Sequence, residues 1–300
     1  MKKLALLLLT FTTFMAANGQ NVSFTPKWQA GDVFHYNVTK IARDKSVTDY
    51  LHYTMTMSVL SSDPSGYTIE MVYHGFCDSP DFVQLLGDRF SPHDYQLIQT
   101  VLYTTTPDGT IIKVINADSL IPYCIKYSIA ALDALGQEPD WQTTEMIKSL
   151  YTEELLIQKI YQEISILHTA LGNTYPLNKT IRSKGKTQTL LDVALPTNIS
   201  YSVKKCSTKE PTYRLHARSA VDKKQLKKAT LEAISYYQAG ADNEEMKHYK
   251  MKFEEESLYE FNTQPGIFLH ADYLRRTVVS SKKDSTEQME HFIITLDQEE

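Results

Sequence analysis

Cysteine is scarce in this chain: three in 300 residues, Cys77, Cys124 and Cys206, with no Cys-x-x-Cys pair. That excludes a disulfide framework and a tightly spaced cysteine zinc site. It leaves open one bridge with a free thiol, or three reduced thiols. Tryptophan is rarer still, with only Trp28 and Trp141. Positive charge is not in excess, since 31 Lys+Arg against 36 Asp+Glu give a formal net charge of −5. No basic stripe is visible along the chain, which argues against nucleic acid or an anionic membrane surface as a partner. The motifs that mark specific chemistry are missing as well. There is no Gly-x-Ser-x-Gly nucleophile elbow, no His-Glu-x-x-His, no Gly-x-Gly-x-x-Gly and no phosphate-binding Gly-x-x-x-x-Gly-Lys. The expectation is a non-enzymatic protein without cofactor or metal.

What is present begins with a leader. Met1-Lys2-Lys3 is basic, Leu4 to Met15 is apolar, and Ala17-Asn18-Gly19 has the small residues of a cleavage site. This pattern predicts a secretory signal peptide over 1–19 with cleavage before Gln20, and an exported protein, periplasmic or extracellular. The apolar run is too short for a transmembrane anchor. Loss of Lys2 and Lys3 leaves 29 cations against 36 acids, or −7 for the mature chain.

The remainder is written mostly in period two. Between Leu51 and Val59 every odd position is apolar and every even one polar. Tyr67, Ile69, Met71 and Tyr73 continue the alternation after the Asp63-Pro64-Ser65-Gly66 turn. From His248 to Phe261, Tyr249, Met251, Phe253, Tyr259 and Phe261 again share odd positions. Two further runs, 267–279 and 289–296, close the chain. Strands of this kind are roughly 35 to 45 Å long at ~3.3 Å per residue and curl when they twist. Glu254-Glu255-Glu256 reads as a solvated edge or bulge, and 244–256 also admits a helical reading. Midway the period changes to threes and fours. Helices are expected over 117–135 and 139–171, the second with an inward stripe through Ile147, Leu150, Tyr151, Ile157, Ile160, Tyr161, Ile164 and Leu167. A shorter helix is expected over 222–237, capped by Asp222. The fold class is therefore α+β: a large curved antiparallel sheet, half-barrel-like, in a single domain over 20–300, with the helical insertion at about 117–171 packed on its concave face.

Candidate binding residues follow from that concavity. Tyr53, Met55, Met57, Met71, Tyr249 and Met251 fall on inward positions, where Met and Tyr suit an apolar ligand or serve equally as core. Arg275 and Arg276 are adjacent and so point to opposite faces. One of them must face the trough, paired with a carboxylate such as Glu254 or Asp272, or holding a ligand headgroup. His93-Asp94, with Asp78 and Asp81 upstream, is a weak acid–base or metal cluster. His52, His216 and His270 read as surface residues of strands.

Trp28-x-x-Gly31-Asp32-x-Phe34-x-Tyr36 after the leader, and Tyr259-x-Phe261-x-x-x-x-Gly266 before the closing strands, frame the helical insertion. The layout resembles uncharacterised bacterial secreted proteins built on a curved half-barrel, similar to the periplasmic lipoprotein carriers. The resemblance implies an apolar trough, partly plugged by helices, able to hold acyl chains. Three functions are thus expected, in order. The first is a soluble exported protein holding a lipid or other apolar ligand in the sheet concavity. The second is a cell-envelope module for protein or glycan, marked by an exposed patch with Trp28 or Trp141 and no cavity. The third is a motif-less hydrolase, marked by a His and a carboxylate meeting in a pocket.

Overall fold

The computed structural model describes residues 20–44, 47–75, 97–134, 136, 138–188, 194–207, 210–237, 250–280 and 285–297. Residues 1–19, Cys77, Asp78, Asp81, His93-Asp94 and Tyr249 lie outside them. Thirteen strands are described: β1 (Asn21–Phe24), β2 (Val33–Asp44), β3 (Val47–Asp63), β4 (Gly66–His74), β5 (Thr100–Thr105), β6 (Ile111–Val114), β7 (Asn173–Pro176), β8 (Thr180–Gln188), β9 (Ala194–Lys205), β10 (Thr212–Val221), β11 (Lys250–Asn262), β12 (Ile267–Ser280) and β13 (Ser285–Leu296). Eleven of them form one antiparallel sheet, in the order β6-β5-β4-β3-β2-β13-β12-β11-β10-β9-β8, that does not close on itself. The remaining two, β1 and β7, pair as a small separate ribbon.

Alternation decides which face each strand buries. In β3, Tyr53, Met55, Met57 and Val59 are buried while Thr54 and Leu60 are exposed. Strand residues 250–256 extend β11, so the helical reading does not hold there. Glu254, Glu255 and Glu256 sit on neither an edge nor a bulge. They lie mid-sheet, each opposite a residue of β10 and a residue of β12. Charge tolerates this interior strand because basic side chains on the flanking strands meet the carboxylates.

The sheet is strongly curved. A Cβ on Gly109, in the β5–β6 turn, would come within 3.0 Å of Pro26 Cγ, and one on Gly266, in the β11–β12 turn, within 2.7 Å of Pro26 Cα. Six inter-strand steps separate β5 from β11. At ~4.8 Å per step a flat sheet would hold them about 29 Å apart. The sheet therefore curls until both turns touch one proline. Around that proline, Lys27 Nζ donates to Thr263 O at 2.8 Å and Ser62 Oγ to Trp28 O at 3.1 Å.

The concave face is covered by helices. These are α1 (Ala117–Ala134), α2 (Trp141–Leu150), α3 (Gln162–Thr169) and α4 (Lys223–Tyr237). Asp222 caps α4 as expected, accepting the Lys224 and Gln225 amides at 3.0 Å. The stretch 139–171 is not one helix. Asp140 caps α2 through the Thr143 amide at 2.7 Å, the helix stops at Tyr151, and Thr152 caps a new turn. A π-helical turn, Leu156–Ile160, follows, and Tyr161 leaves helical geometry at φ −106°. The added residue and the break rotate the face that α3 presents. Six of its eight residues are buried, Gln162, Glu163 and His168 among them. Leu120, Leu156, Ile164 and Leu167 pack with Met55, Met71, Tyr103, Phe261 and Phe292 in one cluster. Each such side chain contributes roughly 1.5 to 3 kcal/mol by leaving water.

Candidate functional site

Five of the side chains expected to line a ligand are buried in the structure. Tyr53, Met55, Met57 and Met71 are 5, 0, 2 and 0% exposed, beneath the helical cover, and Met251 is 7% exposed. Among the described residues, open depressions of about 670 and 710 Å³ occur elsewhere, and none of these five residues lines either of those two.

Beneath α3 the core is not wholly apolar. Glu163, 3% exposed, accepts the hydroxyl of Tyr53 and, at 3.4 Å, that of Tyr73. Burial lifts its carboxyl above the usual carboxylate range, against the opposing pull of the Tyr53 bond and of Lys40. Lys40 itself lies over the Phe292 ring at 4.9 Å. Burial, reinforced by the Glu163 charge, raises both tyrosines far enough that each stays a donor. One helical turn on, His168 Nδ1 meets the Gly109 carbonyl at 2.7 Å and its Nε2 meets the Tyr103 hydroxyl at 3.0 Å. A carbonyl only accepts, so Nδ1 carries the proton and Nε2 accepts from Tyr103. Burial pushes this imidazole down to about 4, despite the Gly109 bond.

Farther along the same concave face, Arg275 stands between two carboxylates. Its Nε meets Glu255 at 3.1 Å, one terminal nitrogen meets Glu290 at 3.3 Å, and the other donates to Tyr273 Oη at 3.0 Å. Tyr273 donates in turn to Glu255 at 2.5 Å. Burial alone would lower Arg275, but Tyr273, Glu255 and Glu290 together hold it above its ordinary value. Arg276 points to the convex face, toward Glu287 at 2.6 Å and Glu254 at 3.8 Å. Both arginines are thus ion-paired within the sheet. The trough-facing partners are Glu255 and Glu290, and Glu254 and Asp272 belong to the other face.

On the convex face, His216 meets Glu256 at 2.7 Å and His291 meets Asp272 at 2.9 Å. Neither pair lines either of those two depressions. His52 and His270 bond Thr39 and Thr295, as surface strand residues. Among the described residues no group of three or more His, Cys, Asp or Glu side chains could hold a metal ion. Cys124 is a buried free thiol, pushed up to about 11 by burial, and Cys206 is an exposed one. No helix among the described residues is long and apolar enough to cross a membrane.

Of the two tryptophans, Trp28 is 5% exposed and packs on Tyr67 and His168. Trp141 is 76% exposed at the start of α2, with Met146 at 50%. Just before it, Glu138 and Pro139 flank a groove along α1, lined by Pro122, Ile125, Ile129 and Ala130 together with the charged Lys126 and Asp133. The polar pair Glu163 and His168 escaped a search for apolar stripes. The signal for them was a Glu and a His inside an otherwise buried helix, one α-turn plus one residue apart. No protein-family model and no curated protein matches the sequence, so the function is read from this geometry.

Proposed function

We propose that the protein is an exported, non-enzymatic binding module that grips an apolar segment of an envelope protein through the α1–α2 surface. One observation carries the reading. Helix residues Leu120, Leu156, Ile164 and Leu167 pack into one core cluster with the sheet's Met55, Met71 and Phe292, whereas Trp141 stands 76% exposed, two residues after Pro139 on the rim of a groove along α1. Trp and Met are residues that interfaces enrich, Trp because it buries much area for two frozen torsions and Met because it adapts its shape to a partner. Export rests on the leader pattern of residues 1–19.

The test places a photo-crosslinking amino acid at position 141 in the producing cell, alongside native mass spectrometry of the purified chain. A discrete protein adduct at 141, lost when Ile125→Asp and Ile129→Asp charge the groove, is the expected result. A lipid-sized excess mass that extracts into organic solvent, with no adduct at 141, overturns it in favour of the carrier reading. One feature favours that second reading: the cover is held to the sheet partly by polar bonds of Glu163 and His168, which a moving cover could break and remake.

A further inference from the structure

Strands β8, β9 and β10 contain seven Lys or Arg residues and no Asp or Glu, in a chain of net charge −5. No stretch of sequence shows this as a stripe, because the cations alternate with other residues and come from three separate strands. Pairing gathers them. On the convex face Arg182, Ser200 and Arg218 are register partners in one row, and Lys184, Asn198 and Ala220 in the next. Ser200 and Asn198 in the middle are short, whereas Arg182, Lys184 and Arg218 beside them are long, and the two rows line an open depression of about 670 Å³. Asn198 and Ser200 offer neutral donors on its floor.

Its charges are only partly cancelled. Arg218 reaches Glu256 at 3.5 Å, and Glu254, on the rim, is held by Lys252 and Arg276. Arg182 and Lys184 meet no carboxylate among the described residues. We propose that this depression is a binding site for a phosphate ester, either a soluble phosphomonoester or the phosphate of a lipid headgroup. Arg182 and Arg218 stand two strand steps apart, about 9.6 Å between backbones. Their side chains can therefore lean in on one tetrahedral anion from opposite sides, with Lys184 as a third donor. Three cations suit the several oxygens of a phosphate better than the two of a carboxylate. A long polyanion is disfavoured, because Glu254, Glu256 and Glu260 of β11 border the cationic strands on the same face. The site is independent of the α1–α2 surface.

Calorimetry with glycerol phosphate, and flotation with phosphatidylglycerol vesicles against phosphatidylcholine alone, test it on the full mature chain. Saturable binding to either probe is expected. The double variant Arg182→Gln, Lys184→Gln should weaken it by roughly tenfold or more, with an unchanged urea midpoint. Lys148→Gln, on α2 and paired with Glu145, should leave it intact. Binding to glycerol phosphate identifies a free ester as the ligand, and binding to vesicles alone identifies a headgroup. The proposal is overturned if the wild type binds neither probe, if binding survives the double variant, if Lys148→Gln weakens it equally, or if an oligonucleotide binds more tightly than both.

Discussion

Acidification should loosen the helical cover at one identifiable point, His168. The imidazole is buried against Trp28 and Tyr103, bonded at both nitrogens, and pushed down to about 4, whereas an unfolded chain gives it an ordinary value near 6.5. Between those values the unfolded state binds the proton and the folded state does not. Stability contributed by neutral His168 is therefore complete above about 6.5 and is lost as pH falls toward 4. Integrating from pH 7 to 4.5 at about 1.36 kcal/mol per unit gives a loss of roughly 2 to 3 kcal/mol. Asp108, in the adjoining turn, does not share the window. Burial pushes its carboxyl up, but bonds from Thr106 and Thr110 hold it below its ordinary range. Glu163 works in the opposite sense, because its raised carboxyl favours the folded state at low pH and costs stability as pH rises through its folded value. The clean quantity is hence a difference. Urea unfolding is followed by Trp28 fluorescence in a Trp141→Phe background, at several pH values, for the parent and for His168→Gln. Glutamine can donate to Gly109 O and accept from Tyr103, yet cannot titrate. The gap between parent and variant should shift by roughly 2 to 3 kcal/mol from pH 7 to 4.5. Parallel pH profiles would refute the reasoning.

Two further outcomes separate the polar bonds of the concave face. Glu163→Leu removes the shared acceptor of Tyr53 and Tyr73 and should cost about 1 to 3 kcal/mol more than Glu163→Gln, which keeps one. Urea midpoints at pH 7 measure this, and Glu163→Gln should also remove the loss of stability that sets in as pH rises through the folded value of the carboxyl. Arg275→Met strands Glu255 and Glu290 in a half-buried position and should cost about 1 to 3 kcal/mol. Arg276→Met, on the more exposed convex face, should stay within about 1 kcal/mol. Equal losses would show that the two faces hold charge alike.

Period-two patterning made the sheet legible because each strand buries one face only, so Tyr53, Met55 and Met57 declare their side by alternation alone. Capping made the boundaries of α4 legible through Asp222. The insertion was misread where the helix stops at Tyr151 and adds a π-turn at Leu156–Ile160, since a stripe extrapolated at 3.6 residues cannot register an added residue. That is why Glu163 and His168 were not placed inside. Tyr53 was read as apolar lining, yet its hydroxyl serves a carboxylate 110 positions away, a pairing no local window contains. The cationic convex rows escaped for the same reason. Arg182 and Arg218 become neighbours only through Ser200 on the strand between them.

The strand order has a consequence for synthesis. The last strand, β13, is the sixth of eleven, with β2 on one side and β12 on the other. It is a keystone, and five strands on each flank wait for it. Until residues 285–296 emerge, β2 presents an open row of amides and carbonyls, and the two half-sheets have no strand to join them. Contacts of such sequence separation form late and slowly. Removal of residues 285–296 would take out the middle of the sheet instead of a margin, and a chaperone that shields β2 until β13 arrives would suit the architecture.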